Sequence, residues 1–478
     1  MFTFINNFFF KFIITYCDII IFVIGRVFLM IKKSKGNFIS LLPFLIFIFS
    51  YLGIGLFFVI NGQNDGFYMF KSPIAVIIGI IFAFILISGD YYEKISIFLK
   101  GCGDENIILM CMIYLLAGAF SNVSSKMGGV EATVNLGINL IPASLISLGV
   151  FLIACFISLS TGTSVGTIVA LGPIAVGFAE KSSISLALII GTLISGAMFG
   201  DNLSVISDTT IAATRTQGVN MRDKFKTNLA ISLPAMAVTV VLLLIFARPD
   251  KNLIIEKEAF NFIKVLPYIF VLITAISGVN VFIVLTCGII FSGIIGIIYG
   301  DFSLLTFTNH IYDGFTSMFE IFLLSMLTGG LASLVKYGGG LDYLISKVKS
   351  FIKSSKSAEF GVGLITLLTD AATANNTVAI IVVGPVVRQI SEKYKVDPRR
   401  SASLMDIFSA VMQGFIPYGA QVLMAVSYAG GKINVFSIMP YLWYQFALLF
   451  FAILSIFIPY ANSYINNYPW DFEKWDIQ

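Results

Sequence analysis

The chain has 478 residues, 58% of them hydrophobic and 12% charged, with a mean hydropathy of +0.93 and a formal net charge of +4. Soluble domains carry about 25% charged residues, so this composition leaves no room for a sizeable soluble domain and argues against an enzyme. A surplus of four charges from loop lysines and arginines is no nucleic-acid footprint. The five cysteines are odd in number and scattered, which gives neither a disulfide framework nor a metal spacing, and His310 is the single histidine.

Apolar segments long enough to span a bilayer, about 20 residues each, recur along the chain. Residues 1–35 are an N-terminal apolar extension. Phe2–Phe28 lacks the small-residue cleavage site of a signal peptide, so it reads as an extra anchoring helix, or as an upstream extension if Met30 is the natural start. Lys32, Lys33 and Lys35 then put the start of segment 38–60 on the cytoplasmic side, because basic loops stay inside. Segment 72–89 returns and 106–126 crosses outward. Arg215, Arg222, Lys224 and Lys226 require the chain to be inside again. Between them we read a re-entrant hairpin from outside, about 143–159 and 162–178, and a broken helix, 183–200 plus 208–214. Segments 228–247, 261–277, 281–299 and 317–336 alternate. A second hairpin, about 357–372 and 376–387, has basic residues on both flanks, so it enters from the cytoplasm. A broken helix (403–415 and 418–428) and segment 438–460 follow.

An internal duplication organises these elements. Leu116-Ala-Gly-Ala-Phe-Ser leading to Met127-Gly-Gly-Val-Glu131 recurs 211 residues later as Leu327-Thr-Gly-Gly-Leu-Ala leading to Gly338-Gly-Gly-Leu-Asp342. Thr161 matches Thr373, and Gly172-Pro173 matches Gly384-Pro385, at an offset of 212. The expected fold is therefore an all-α polytopic membrane protein of two inverted repeats, 36–250 and 251–460. Each has about five transmembrane segments, including a broken helix, plus one re-entrant hairpin; a cytoplasmic tail, 461–478, follows. Such repeats are characteristic of secondary transporters.

Polar interruptions fall in corresponding places. The hairpin tips are Ser160-Thr-Gly-Thr-Ser-Val-Gly-Thr167, with Thr161, Thr163 and Ser164, and Thr369-Asp-Ala-Ala-Thr-Ala-Asn-Asn-Thr377, with Asp370, Thr373, Asn375, Asn376 and Thr377. The breaks are Gly200–Thr210, with Asp201, Ser204, Ser207, Asp208 and Thr209, and Gln413–Gln421, with Gln413, Pro417, Tyr418 and Gln421. Asp406 lies in the apolar run Ser403–Val411. Irregular backbone at membrane depth survives only where protein or a watery cavity covers it, and its freed carbonyls and hydroxyls suit a hard cation. A charged side chain there costs ~2.5–3.5 kcal/mol on insertion scales, which points to ion handling. Asp201 and Asp208, seven residues apart, could supply one Na+ ligand and one proton carrier, in either order. On this reading Asp208→Asn abolishes transport. No cofactor is expected besides the transported Na+ and H+.

Ser195-Gly-Ala-Met-Phe-Gly-Asp-Asn-Leu-Ser-Val-Ile-Ser-Asp-Thr-Thr210 resembles the Gly-Asp…Ser…Ser-Asp-Thr-Thr signature of the NhaC family of sodium/proton antiporters, within the ion transporter superfamily. Ser160–Thr167 is similar to that family's hairpin motif. The resemblance, looser from about residue 36 to 460, implies elevator-type scaffold and transport parts, a homodimer and a multi-pass location in the cell membrane. The family often has an Arg, a Glu-Asp pair and Ile-Pro-Trp-Asn in the second half; here stand Ala402, Met405 before Asp406, and Ile416-Pro-Tyr-Gly419. A Na+- or H+-coupled carrier of an amino acid or small carboxylate, with Asn375, Asn376, Gln413, Tyr418 and Gln421 reading the solute, therefore stays open beside Na+/H+ exchange. A channel is the third reading, since inverted hairpins suit alternating access better than a continuous pore.

Overall fold

A computed structural model describes residues 36–60, 70–140, 142–205, 207–247, 259–277 and 279–472, with no β-strand among them. The N-terminal extension and the tail beyond 472 lie outside the described residues. The first half comprises α1 (Leu42–Ile60), α2 (Ser72–Leu86), α3 (Tyr91–Cys102), α4 (Glu105–Lys126), α5 (Gly129–Leu140), α6 (Ile146–Thr161), α7 (Ser164–Ser182), α8 (Leu186–Leu203), α9 (Asp208–Gln217) and α10 (Met221–Phe246). The second comprises α11 (Phe262–Ile276), α12 (Val281–Tyr299), α13 (Leu304–Ser317), α14 (Phe319–Tyr337), α15 (Gly340–Lys349), α16 (Ser355–Thr373), α17 (Asn376–Tyr394), α18 (Pro398–Phe415), α19 (Ala420–Ser427) and α20 (Trp443–Phe457). Among the described residues, seven helices are long and apolar enough to cross a membrane, counting α8–α9 and α18–α19 as one each. This is a multi-pass membrane protein.

The expected spans and hairpins have helices in their places, with two differences. The segment expected at 438–460 is bent by 55° between Val435–Tyr441 and α20, where Pro440 interrupts the hydrogen-bond ladder. The helices α3, α5, α13 and α15 were not anticipated. They are too short to span, and α3 and α15 carry Glu93, Lys94, Lys100 and Asp342, Lys347, Lys349. Their start signals were nonetheless present for α3 and α13: Asp90 accepts from Tyr92 N and Glu93 N, and Ser303 accepts from Thr306 N, as N-caps do.

The duplicated motifs mark crossings between the halves. α3 packs on α14, and α13 packs on α4. A Cβ on Gly118 would run into the Gly314 carbonyl, and one on Gly329 would meet the Gly101 carbonyl. Glycine is required at both because backbone meets backbone. Likewise a Cβ on Gly172 of α7 would strike the Tyr428 ring, and one on Gly384 of α17 would strike Thr216. Each hairpin's second arm thus lies against the far limb of the other half's broken helix.

At the centre, α8 buries every residue from Ala187 to Leu203, and α18 every residue from Pro398 to Val411. A helix buried all round belongs in the middle of a bundle. α10, by contrast, turns Leu233, Val241 and Ile245 outward, as a lipid-facing helix does.

Candidate functional site: the joint of two hairpin tips and two helix breaks

α6 ends at Gly162 in the left-handed region, φ 71°, and Thr163 caps α7 by accepting from Gly166 N. That turn delivers Ser164 to Asp201. Ser164 donates to Asp201 Oδ2 from its backbone N (3.3 Å) and from Oγ (2.6 Å). Asp201 sits in the last turn of α8 and is 6% exposed. Beyond it the helix unwinds at Ser204 and restarts at Asp208. Ser207 stands at the N-cap of α9, where a serine oxygen normally accepts from its own helix. Here it makes no such bond; its Oγ donates to Asp201 Oδ1 at 2.5 Å and meets Thr209 Oγ1 at 2.9 Å. The cap has been diverted to the carboxylate.

The second half supplies amides instead. Ala374 closes α16 in the same left-handed region, φ 53°, and Asn375 caps α17 by accepting from Val378 N. Gln421 Nε2 donates to Ser164 Oγ at 3.0 Å, Gln413 Nε2 donates to Gln421 Oε1 at 2.8 Å, and Gln413 Nε2 also reaches the Ala374 carbonyl at 3.4 Å. One chain of hydrogen bonds therefore runs Asp201–Ser164–Gln421–Gln413–Ala374. It joins both tips and both breaks.

Other expected residues stand around this chain. Thr161 accepts from Thr163 N at 3.3 Å, and Thr373 bonds the Thr369 and Asn375 carbonyls at 2.9 and 3.2 Å. Tyr418 donates to the Ala371 carbonyl at 2.8 Å. Asn376 is buried and accepts from Thr377 N at 3.0 Å. Thr377 and Pro417 are half-buried, and Ser204 is buried with its carbonyl accepting from Thr210 Oγ1 at 2.7 Å. Asp370 is fully buried, and neither carboxylate oxygen has a hydrogen-bond partner.

Asp208 departs from the expectation of a paired carboxylate site. It opens α9 with its side chain exposed, whereas Asp201 is turned into the protein. Restarting a helix at 208 sends consecutive side chains to different faces, so the interval of seven residues does not bring the two acids together.

Asp406 is 1% exposed and ion-paired with Lys224, also 1% exposed. The sequence reading had counted Lys224 among the cytoplasmic basic residues. Its Nζ also donates to the Asn202 carbonyl (2.9 Å) and Thr210 Oγ1 (2.7 Å). Asn228 Nδ2 donates to Asp406 Oδ2 at 2.9 Å and to both oxygens of Asn202 at 3.0 Å. Lys224, Asn202 and Asn228 were therefore missed. A trace was available: buried Asp406 needs a cation, and Lys224 and Asn228 stand four apart on one helix face.

A profile of the Na+/H+ antiporter family matches residues 36–248 and 255–461. The chain belongs to the Na+/H+ antiporter family. It is 22% identical to the malate-2H(+)/Na(+)-lactate antiporter of Bacillus subtilis (strain 168) over 383 residues, covering 74% of this chain and 81% of that protein. Identity to the Na(+)/H(+) antiporter NhaC of the same organism is 24% over 393 residues, covering 76% and 85%. A solved structure, the Alcanivorax borkumensis YdaH transporter, aligns with a TM-score of 0.43 at 12% identity, over 81% of this chain and 91% of that one. The activity that goes with this family is exchange of Na+ for H+ across a membrane.

Proposed function

We propose that Na+ is carried at the joint of the tips and breaks, with Asp201 as its carboxylate ligand. The observation that carries this reading is the hydrogen-bonded chain from Asp201 to Ala374, which ties four irregular segments from both halves to one carboxylate. The hydroxyl oxygens around Asp201 suit a hard cation. The hydroxyls of Ser164, Ser207 and Thr209 now donate or share protons, and each can rotate to offer a lone pair instead. Na+ would be held by those oxygens, by Asp201 and by carbonyls released where α8 unwinds. Asp208, at the exposed start of α9, lies on the approach.

Residues 36–250 and 251–460 act as inverted repeats in this reading. It is supported, among the described residues, by the recurrence of ten helices in one order, α1–α10 and α11–α20, with the short helices Val435–Ile438 and Ser463–Asn467 additional to the second set, and by crossings that come in matched pairs. α1–α4 with α11–α14 form the scaffold of a homodimer, and α6–α10 with α16–α20 form the part that moves across the cell membrane. The cytoplasmic end is marked by Lys226, Lys395 and Arg399, against which tail residues Tyr464, Phe472 and Trp470 pack; the C-terminus is cytoplasmic by the positive-inside rule.

A second reading, coupled exchange of a small carboxylate or amino acid, draws on a cavity of about 250 Å³ lined by Lys71, Ser72, Glu320, Ser427 and Asn434. Everted vesicles separate the two. Sodium-evoked dequenching of a pH dye with no organic solute present supports the first. Sodium-dependent uptake of a labelled carboxylate or amino acid without that dequenching overturns it.

A further inference from the structure

The repeat offset of 212 sets Asp201 against Gln413 and Ser158 against Asp370. Each half thus has one buried carboxylate at its tip-and-break junction, but on opposite elements. In the first half the acid is on the broken helix, and the hairpin carries Ser158, whose Oγ donates to the Ala197 carbonyl at 2.5 Å. In the second half the acid is on the hairpin, and the broken helix carries Gln413.

The two acids live in opposite surroundings. Asp201 receives three hydrogen bonds, which is an environment built for a carboxylate ion. Asp370, in the last turn of α16, receives none on either oxygen from the described residues, among which the neighbouring Thr369 hydroxyl and Gln413 Oε1 are also without partners. Burying an ionised carboxylate without a partner is far costlier than burying the neutral acid.

The buried cations Arg400 and Lys224 are otherwise engaged. Arg400 pairs with Glu359 near the start of α16, eleven residues and about 16 Å of helix rise from Asp370, and Lys224 pairs with Asp406. Among the described residues, the titratable side chain bonded to this turn is Tyr418, through the Ala371 carbonyl. A small cavity bordered by Thr373, Asn375, Tyr418, Tyr114, Ser325 and Thr328 touches the tip. The wider cavity with Lys71 and Glu320 at its mouth lies further along the same helices, α14 and α19, reaching Leu324 and Leu423. The two cavities share no lining residue, and the small one meets the turn that follows Asp370 at Thr373 and Ala374.

Resting on the reading of Asp201 as the Na+ ligand, we infer that Asp370 is the proton carrier of the exchange. Na+ at Asp201 takes a lone pair of Ser164 Oγ, which now accepts from Gln421. Gln421 lets go, Gln413 loses its acceptor, and its amide is free to turn an N–H toward the turn of Asp370. That donor favours the carboxylate, and the Asp370 proton leaves to water at the tip. One Na+ is bound and one O–H bond is broken, with no oxidant or cofactor involved. Gln413 is the positioning residue.

The test uses purified full-length protein in liposomes with an internal pH dye and 22Na+. The wild type should release protons on Na+ addition and also perform 22Na+/Na+ counterflow. Asp370→Asn should lower sodium-evoked proton release by about tenfold or more while counterflow stays within about twofold. Gln413→Leu should lower the protons released per Na+ bound, with Asp370 intact. Proton release at the wild-type level in Asp370→Asn overturns the inference. So does loss of counterflow together with proton release in a monodisperse Asp370→Asn protein whose melting temperature matches the wild type. A wild type that moves Na+ without protons overturns the exchange reading itself, which is a separate result.

Discussion

The two joints have the same backbone plan and opposite chemistry. At the first, Gly162 makes the left-handed turn, Ser164 and Ser207 serve Asp201, and each carboxylate oxygen has a donor. At the second, Ala374 makes the same turn at the cost of about 1 kcal/mol of Cβ strain, the donors are glutamine amides, and the carboxylate has moved to the hairpin and stands alone. Duplication supplies two equivalent frames. Substitution at equivalent positions then gives each a different chemistry, hydroxyl donors around a carboxylate in one and amides beside a buried acid in the other.

The comparison breaks most severely where the joints share a brace. Lys224→Met or Asp406→Asn leaves an unpaired buried charge and should destabilise the protein by about 3–5 kcal/mol each. The Lys224→Met/Asp406→Leu double variant should be less destabilised than either; unfolding in mixed detergent micelles reads all three. Asp201→Asn removes the carboxylate at the first joint. Sodium-driven proton flux should fall about 100-fold, equivalent to about 2.7 kcal/mol, in a protein that still inserts. Ser164→Ala takes one charge-assisted donor from Asp201 and the acceptor from Gln421, so the apparent KM for Na+ should rise about tenfold. The smallest effect is expected at the exposed acid. Asp208→Asn should change the Na+ KM by about two- to threefold, through the lost attraction of a surface charge, rather than abolish transport. A null Asp208→Asn variant with normal folding would move the ion site outward and undo the contrast between the joints.

Much of this arrangement could be read before any coordinates. Spanning runs are long and apolar, hairpin tips are polar strings between them, and the Gly118/Gly329 and Gly172/Gly384 motifs recur at offsets of 211 and 212, where each glycine admits a crossing element from the other half. That Asp201 lies inside the protein was legible too, since it stands at the end of the apolar run that becomes α8. The short helices α3, α5, α13 and α15 were not, because a search tuned to spanning length passes over them.

What the amino-acid sequence determined by itself is the class, the repeat and the set of polar interruptions, all of which depend on local hydrophobicity and on residue types near one another in the chain. Only the tertiary structure decided partnership. Whether Asp201 looks inward and Asp208 outward depends on where α9 restarts. Whether Lys224 is a surface charge or a buried ion depends on Asp406, 182 residues away in the chain. Electrostatic partners are chosen by distance in space, and sequence spacing carries that distance only within one uninterrupted helix.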